Sequence, residues 1–206
     1  MTTKFRIVRS LALFVACTQG SCTDEGQRAS LELADAAPKQ VMLEEVELLD
    51  HTGWIEYPRS EDPLPSHEPE RVDCGPAGWY VEPLLEAPVL EIDTRYCNYA
   101  LLEHLAAVDV AVSDEITLEL RHFDLRAPEP TQAHIAIVFD DAVEWQTFIP
   151  IPSDASAQVY QWRARRALAA GAPIRLHLHN HGQNTWIVAS LHARVHPTPA
   201  TKGAGP

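Results

Sequence analysis

The sequence is poor in positive charge. Its 206 residues contain 16 Lys and Arg against 29 Asp and Glu, and the formal net charge is −13 at pH 7. Nucleic acids and anionic lipid headgroups bind to basic surfaces. This composition therefore argues against both as partners, and it is consistent with solubility outside the cell.

Short catalytic and cofactor motifs are also missing. The sequence contains no GxSxG, HExxH, Walker loop, Rossmann glycine pattern, EF-hand loop or N-glycosylation sequon. No nucleophile stands at a recognisable spacing from a base, and no two carboxylates have the spacing of a catalytic pair. We therefore expect a protein that is not an enzyme and that carries no cofactor.

The apolar run near the N-terminus is short. Leu11–Ala16 follows three basic residues and ends at small residues and Cys17. A membrane-spanning helix needs about 20 apolar residues. A basic segment followed by a short apolar run and small residues is instead typical of a secretory signal. We expect residues 1–22 to direct export.

Cysteine is scarce, with four residues in the chain. The segment FVAC, residues 14–17, resembles the lipobox of bacterial lipoproteins, in which the cysteine is lipidated and becomes the mature N-terminus. This resemblance implies a lipid anchor on Cys17 and a place in the bacterial cell envelope, at the outer membrane or in the periplasm. QGSC, residues 19–22, makes Cys22 the alternative, and secretion with an unlipidated signal is a third possibility.

Cys74 and Cys97 are expected to form a disulfide. Neither cysteine lies in a CxxC motif or beside a histidine that would generate a thiolate. Disulfides persist in exported proteins. In the chain-entropy model, a loop of this length contributes about 3–4 kcal/mol to stability.

Composition divides the chain into four parts. Residues 23–73 hold 14 acidic and four basic residues and include the stretch YPRSEDPLPSHEPERVD. Proline and charge with little apolar periodicity predict an acidic, Pro-rich linker after the signal segment 1–22. We expect the folded domain over 74–197 and a disordered tail over 198–206.

Apolar residues in the folded part mostly alternate with a period of two, for example over 88–94, 133–139 and 186–195. Seven to nine short strands without regular helix alternation predict an all-β protein, an antiparallel β-sandwich. The spacing over 97–108 favours a turn or short helix, whereas 159–171 is interpreted as a strand.

The parity of the apolar residues changes within residues 115–125, after Leu120. A β-bulge near His122 would restore the alternation. It would also place His122 and Asp124 on the outer face of the strand.

The stretch 171–186 resembles the end of jelly-roll modules of the galactose-binding-like and carbohydrate-binding type. In those modules a penultimate strand opens after a glycine, and the final strand runs back beside it. The segments CNYALL, LRHFDL and HLHNHG also resemble domains of uncharacterised bacterial envelope lipoproteins. The resemblance implies a jelly-roll-like sandwich. The matching residues are Gly171, Pro173, Ile174, Leu176, Leu178, Asn180 and Trp186.

RLHLHNHGQNTW, residues 175–186, predicts a final hairpin with a polar outer face. Strand alternation puts its histidines on one side, and a bend at Gly182 would place Trp186 opposite His179. An exposed Trp offers a flat face to sugar C–H groups, and the polar side chains offer hydrogen bonds. We expect a glycan or other polar ligand there. The candidate ligand-binding residues are Arg175, His177, His179, Asn180, Asn184 and Trp186.

The same histidines suggest a metal site as an alternative. Two His at i and i+2 on a strand can bind Zn or Cu through neutral imidazoles, with further ligands from elsewhere in the chain. A third hypothesis is a structural or adhesive envelope protein, whose outer strand face is polar without binding a small ligand. The candidate metal ligands are His177, His179, His181, His122, Asp124 and His134.

Overall fold

The computed structural model describes residues 43–64, 72–84 and 87–195. These residues contain a single turn of 3-10 helix, Arg59–Glu61, and no helix long and apolar enough to cross a membrane. Their strands are β1 (Glu44–Glu47), β2 (Ile55–Glu56), β3 (Trp79–Leu84), β4 (Ala87–Asp93), β5 (Tyr99–Leu105), β6 (Glu115–His122), β7 (Thr131–Phe139), β8 (Ala142–Ile151), β9 (Ser156–Arg163), β10 (Pro173–His179) and β11 (Thr185–Val195).

The strands form two antiparallel sheets that pack face to face. One has the order β3-β4-β11-β6-β9, with β1 also paired to β11, and the other has the order β2-β5-β10-β7-β8. Within residues 87–195, every connection except the β7–β8 hairpin crosses from one sheet to the other. Eight strands wound between two sheets in this way form a jelly roll. The predicted all-β, antiparallel, jelly-roll-like sandwich is confirmed.

Strand alternation builds the core between the sheets. In β6 the residues with even numbers from Ile116 to His122 are buried, and in β10 Ile174, Leu176 and Leu178 face the same interior. Full burial of such an aliphatic side chain stabilises the fold by roughly 1.5–3 kcal/mol. The period-two pattern thus specifies which face of each strand is internal.

The predicted final hairpin is wrong. β10 pairs with β5 and β7, whereas β11 pairs with β4 and β6 in the opposite sheet. Residues 180–184 therefore cross the end of the sandwich. Two alternating strands joined by a short turn can form a hairpin within one sheet or a crossover between two sheets. Sequence periodicity is the same for both connections and does not distinguish them.

The bulge lies in β11 and not in β6. The register with β6 shifts between Val188 and Ser190, which brings Trp186, Val188 and Leu191 to the same inner face. β6 runs without a shift to its end, so His122 is internal and not on the predicted outer face.

Part of the predicted linker over 23–73 belongs to the domain. β1 pairs with β11 and β2 pairs with β5, while Leu48, Leu49 and Trp54 are buried in the core. The start of the folded part at residue 74 is therefore wrong, because these apolar side chains complete the core. The signal segment 1–22 with Cys17 and Cys22, the remaining linker, and the tail 198–206 lie outside the described residues.

The segment 97–108 does not form the predicted turn or helix. It contains β5, which lies between β2 and β10. Residues 99–102 are buried on both faces and are all apolar, so this strand does not show the alternation of a half-buried strand. The predicted strand over 159–171 is confirmed as far as Arg163, the end of β9.

The predicted disulfide between Cys74 and Cys97 is confirmed. It joins the segment before β3 to the loop between β4 and β5. The two cysteines are 23 residues apart in sequence, so the bond closes a loop that includes β3 and β4. The β4–β5 loop is thereby anchored at one end of the sandwich.

Candidate functional site

Arg175 is buried and held by the protein itself. Its Nε donates to Glu103 at 2.8 Å and its Nη1 donates to Asp141 at 3.0 Å. The guanidinium lies 4.0 Å from the centroid of the Tyr57 ring, a cation–π contact. Arg175 therefore attaches the segment around Tyr57 to the sheet, and it does not form part of an open ligand surface.

His177 forms a buried network with Asp62 and Tyr99. The Nδ1 of His177 and the hydroxyl of Tyr99 each lie 2.7 Å from Asp62 Oδ2, and the Leu64 amide donates to Oδ1 at 3.0 Å. Burial by itself raises the pKa of Asp62, but the hydrogen bonds from His177 and Tyr99 outweigh it, and the pKa lies below its usual value. Asp62 is therefore an ionised carboxylate that fixes residues 57–64 over the sheet.

Other histidines pack around this network. The rings of His134 and His177 have centroids 4.9 Å apart, and His179 contacts His181 at 4.7 Å. His134 also stacks on Phe148 with a centroid distance of 4.2 Å. The structure thus brings together four of the six candidate metal ligands, on the outer face and at the end of one sheet.

The remaining two candidate metal ligands lie elsewhere. His122 belongs to the other sheet, and its ring contacts Trp186 at 5.1 Å between centroids. Asp124 is exposed and pairs with Arg126 at 2.7 Å. Among residues 43–64, 72–84 and 87–195, no three His, Cys, Asp or Glu side chains are grouped so that they could hold a metal ion.

Trp186 is 1% exposed and lies in the core. The predicted arrangement of Trp186 opposite His179 on an open face is wrong, because the two residues stand on different sheets. A side chain enclosed in this way cannot offer its ring to a sugar. Its contribution is to packing, and burial of an indole is among the larger single contributions to a core.

Asn180 and Asn184 organise the end of the sandwich. Asn180 Nδ2 donates to Thr94 Oγ1 at 2.7 Å, and Asn184 Nδ2 donates to Asn180 Oδ1 at 3.0 Å. Asn184 Oδ1 accepts from the Arg126 amide at 2.7 Å. These buried amides therefore connect three crossover loops, which follow β4, β6 and β10.

Gly182 brings two of these loops into close contact. Its φ is +87°, a left-handed conformation that glycine adopts without steric cost. A Cβ at this position would overlap the carbonyl oxygen of Arg126. The predicted turn residue is thus also a contact residue, and the 123–130 loop packs directly against its backbone.

The connected loops enclose a cleft at this end of the sandwich, with a volume of about 620 Å³. Ligand clefts in proteins typically measure about 300–1,000 Å³. The loop between β4 and β5 forms one wall, and the loops after β6 and β10 form the other. The lining residues are Val72, Thr94, Arg95, Tyr96, Cys97, Asn98, Arg126, Ala127, Pro128, Gly182 and Gln183.

Tyr96 is the main aromatic side chain of the cleft. Tyr96 is 85% exposed. Its neighbour Cys97 is fixed by the disulfide. The guanidinium of Arg95 lies 6.0 Å from the centre of the Tyr96 ring. Gln183 is exposed on the opposite loop and offers an amide that both donates and accepts hydrogen bonds.

Two arginines line the cleft, and each is paired with an aspartate. Arg95 pairs with Asp93 at 3.5 Å, and Arg126 pairs with Asp124 at 2.7 Å. The hydrogen bond from Arg126 and a second one from the Ala155 amide hold the pKa of Asp124 below its usual value. No Asp or Glu is among the described residues that line the cleft.

Sequence reasoning missed Arg95, Tyr96 and Arg126. It found Asn180 and Asn184, but as direct ligands, whereas they support the loops from behind. The available signal was an aromatic residue next to a disulfide cysteine in a short polar connection. A single residue in a loop has no periodic pattern, whereas the strands were predicted from their periodicity.

No protein-family model matches the chain, and no curated protein matches it. The solved structures similar to it include carbohydrate-binding modules, the type of module that residues 171–186 resemble. One is the C-terminal CBM6 of a laminarinase from Zobellia galactanivorans, at 9% identity and a TM-score of 0.43, covering 73% of this chain and 99% of that one. Another is a CBM28 specific for non-crystalline cellulose, at 10% identity and a TM-score of 0.43, covering 67% and 85%.

A third similar structure is the CBM36-1 domain of a multidomain xylanase from the hindgut metagenome of Trinervitermes trinervoides. It is 10% identical with a TM-score of 0.36, and the match covers 79% of this chain and all of that domain. TM-scores below 0.5 at such identities assign no ligand to this chain.

Proposed function

We propose that the protein is a non-catalytic glycan-binding protein whose site is the cleft beside Tyr96. The observation that carries the proposal is the 85% exposure of this aromatic residue on the wall of a cleft of about 620 Å³. A large aromatic side chain held in solvent costs hydrophobic free energy. Contact with a ligand would recover that free energy.

The chemistry around the ring suits a saccharide. A sugar presents apolar C–H groups on its ring faces and hydroxyl groups around its edge. Tyr96 offers a flat surface to the former, while Gln183, Arg95 and Arg126 offer hydrogen bonds to the latter. These three polar side chains come from both walls of the cleft.

The walls are held in place before any ligand arrives. The disulfide at Cys97 anchors the Tyr96 loop, and the Thr94–Asn180–Asn184 hydrogen bonds join it to the opposite wall. Ordering of side chains and loops upon binding costs affinity. A cleft with a preformed backbone reduces this cost.

We further propose that the protein is exported and anchored in the bacterial cell envelope through a lipid on Cys17. The Cys74–Cys97 disulfide supports export, because disulfides persist mainly in oxidising compartments. Mass spectrometry of the mature N-terminus from the native host tests this proposal. A diacylglyceryl-modified Cys17 is expected, and an unmodified N-terminus would contradict the anchor.

A glycan array followed by calorimetric titration of the hits tests the binding function. The full chain, produced under disulfide-forming conditions, is compared with Tyr96→Ala. Loss of the aromatic contact is expected to weaken binding about two- to tenfold, since stacking of this kind contributes about 0.5–1.5 kcal/mol.

Phe123→Ala is the matched control. Phe123 is 61% exposed and does not line the cleft. Its removal is expected to leave the affinity for the same glycan unchanged. An array without hits, or equal affinities for the Tyr96→Ala variant and the unmodified protein, would overturn the proposed function.

A further inference from the structure

We infer that the cleft prefers anionic saccharides, bearing carboxylate or sulfate groups, and that Arg95 and Arg126 bind the anionic groups. This inference rests on the proposed function, because it names the ligand class of the same cleft. The observation behind it is the convergence of two cationic side chains on one cleft in a strongly acidic chain. The net charge of the chain is −13, and Arg95 and Arg126 both line the cleft.

The two arginines occupy equivalent positions in separate loops. Arg95 follows β4 and Arg126 follows β6, and each forms an ion pair with an aspartate two residues earlier. Because β4 and β6 run in the same direction, both loops emerge at the same end of the sandwich. The Arg126 amide donates to Asn184 Oδ1, and the backbone amide of Asn184 donates to Thr94 Oγ1, so the second loop is joined to the first through Asn184.

Both guanidinium groups remain accessible to a ligand. The Arg95 side chain is 59% exposed and that of Arg126 is 70% exposed. Exposed ion pairs contribute about 0–1 kcal/mol, so Asp93 and Asp124 hold the arginines in position only weakly. Five N–H donors in a planar fork allow each arginine to keep its aspartate and bind a carboxylate or sulfate as well.

The acidic remainder of the chain does not prevent this contact. At physiological ionic strength the Debye length is about 8 Å, so distant surface carboxylates are largely screened. A ligand anion inside the cleft is affected mainly by the groups that line it. The described lining residues include two arginines and no carboxylate, and Asp93 and Asp124, which pair with these arginines, lie outside the lining.

Titration with paired probes tests the inference on the full, oxidised chain. The first pair is an oligogalacturonate and its methyl ester, which share a backbone and differ in charge. The second pair is a sulfated galactan oligosaccharide and its desulfated form. The charged member of at least one pair is expected to bind about tenfold more tightly, as charge-assisted hydrogen bonds are stronger than neutral ones. The two pairs distinguish carboxylate from sulfate as the preferred anion.

The double variant R95Q/R126Q is expected to lose this preference while it still binds the neutral member of the pair through Tyr96. Arg194→Gln is the control, because Arg194 is an exposed, ion-paired arginine near the other end of β11. It should leave the preference intact.

Equal affinities for charged and neutral probes would overturn the anionic preference, and a preference that persists in R95Q/R126Q would overturn its assignment to Arg95 and Arg126. If the affinities for the charged and neutral probes still fall in Tyr96→Ala, the proposed glycan-binding function stands without the anionic preference. If no saccharide binds at all, the proposed function fails, and the inference fails with it.

Discussion

Asp62 and His177 form a buried hydrogen-bonded pair across 115 residues of sequence. The side chains are 2% and 0% exposed, and the Oδ2–Nδ1 distance is 2.7 Å. Since an ionised carboxylate only accepts hydrogen bonds, Nδ1 of His177 carries the proton. The pair attaches a segment that sequence analysis assigned to a linker to the middle of a sheet.

Replacement of Asp62 by alanine should destabilise the domain. It would leave the buried Nδ1 of His177 and the hydroxyl of Tyr99 without their acceptor. We expect the free energy of unfolding to fall by about 2–3 kcal/mol, measured by urea denaturation. Glu61→Ala, an exposed neighbour in the same turn, should change it by less than about 0.5 kcal/mol. Equal effects of the two substitutions would contradict the structural role of the pair.

Stability should depend on the ionisation of Asp62. Its pKa in the folded protein lies below its usual value, chiefly because the hydrogen bond from His177 outweighs burial. The stabilisation is therefore fully present above the unfolded pKa of about 3.9, and it is lost as the pH falls through the lower folded value. The difference in unfolding free energy between the unmodified protein and Asp62→Asn should be constant near pH 7 and shrink below about pH 4. A difference that does not change with pH would contradict this prediction.

Gly182→Ala should disrupt the cleft. The new Cβ would overlap the Arg126 carbonyl, and the backbone is left-handed at this position. We expect a loss of about 3 kcal/mol or more in unfolding free energy, together with weaker glycan binding. Gly171 is the matched control, with a φ of +81° and no atom within 4 Å of the added Cβ. Gly171→Ala should cost only about 1–2 kcal/mol, the backbone strain alone, and should leave binding intact. Similar losses in both variants would show that the loop contact is unimportant.

Removal of the disulfide should lower both stability and affinity. The double variant Cys74→Ala/Cys97→Ala is expected to lose about 3–4 kcal/mol, the chain-entropy contribution of a loop of this length. Affinity should fall as well, because the loop that carries Tyr96 would lose its covalent anchor. Thermal unfolding and glycan titration of the same sample measure the two effects. An unchanged affinity in a folded double variant would show that the hydrogen bonds around Asn184 suffice to hold the loop.

Period-two patterning predicted most strands of the folded part, including β7 and β10, which are buried on both faces. It was misleading for β5, because residues 99–102 form a continuous apolar run, and for β11, because the bulge after Val188 reverses the parity of the inner residues. The acidic, proline-rich composition of residues 23–73 placed Leu48, Leu49 and Trp54 in a linker, although these side chains are part of the core.

The candidate site in the structure differs from the predicted one, also because of long-range contacts. The histidines of β10 share one face, as strand geometry requires, but whether that face is open depends on the segment that covers it. Residues 57–64 cover part of it, held by Asp62 and by the contact of Tyr57 with Arg175. The neighbours of Trp186 depend on which sheet receives β11, which is a matter of long-range pairing.

The alternation of apolar residues, a local property, was enough to predict the all-β class, and the lack of a CxxC motif or a neighbouring histidine favoured a structural bond between Cys74 and Cys97. The separation of β10 and β11 into different sheets and the burial of Trp186 followed only from the three-dimensional structure. The three-dimensional structure also brought Arg95, Tyr96 and Arg126 to one cleft. These relationships arise from contacts between residues far apart in the chain, and the free energy that selects among them is that of burying the whole core.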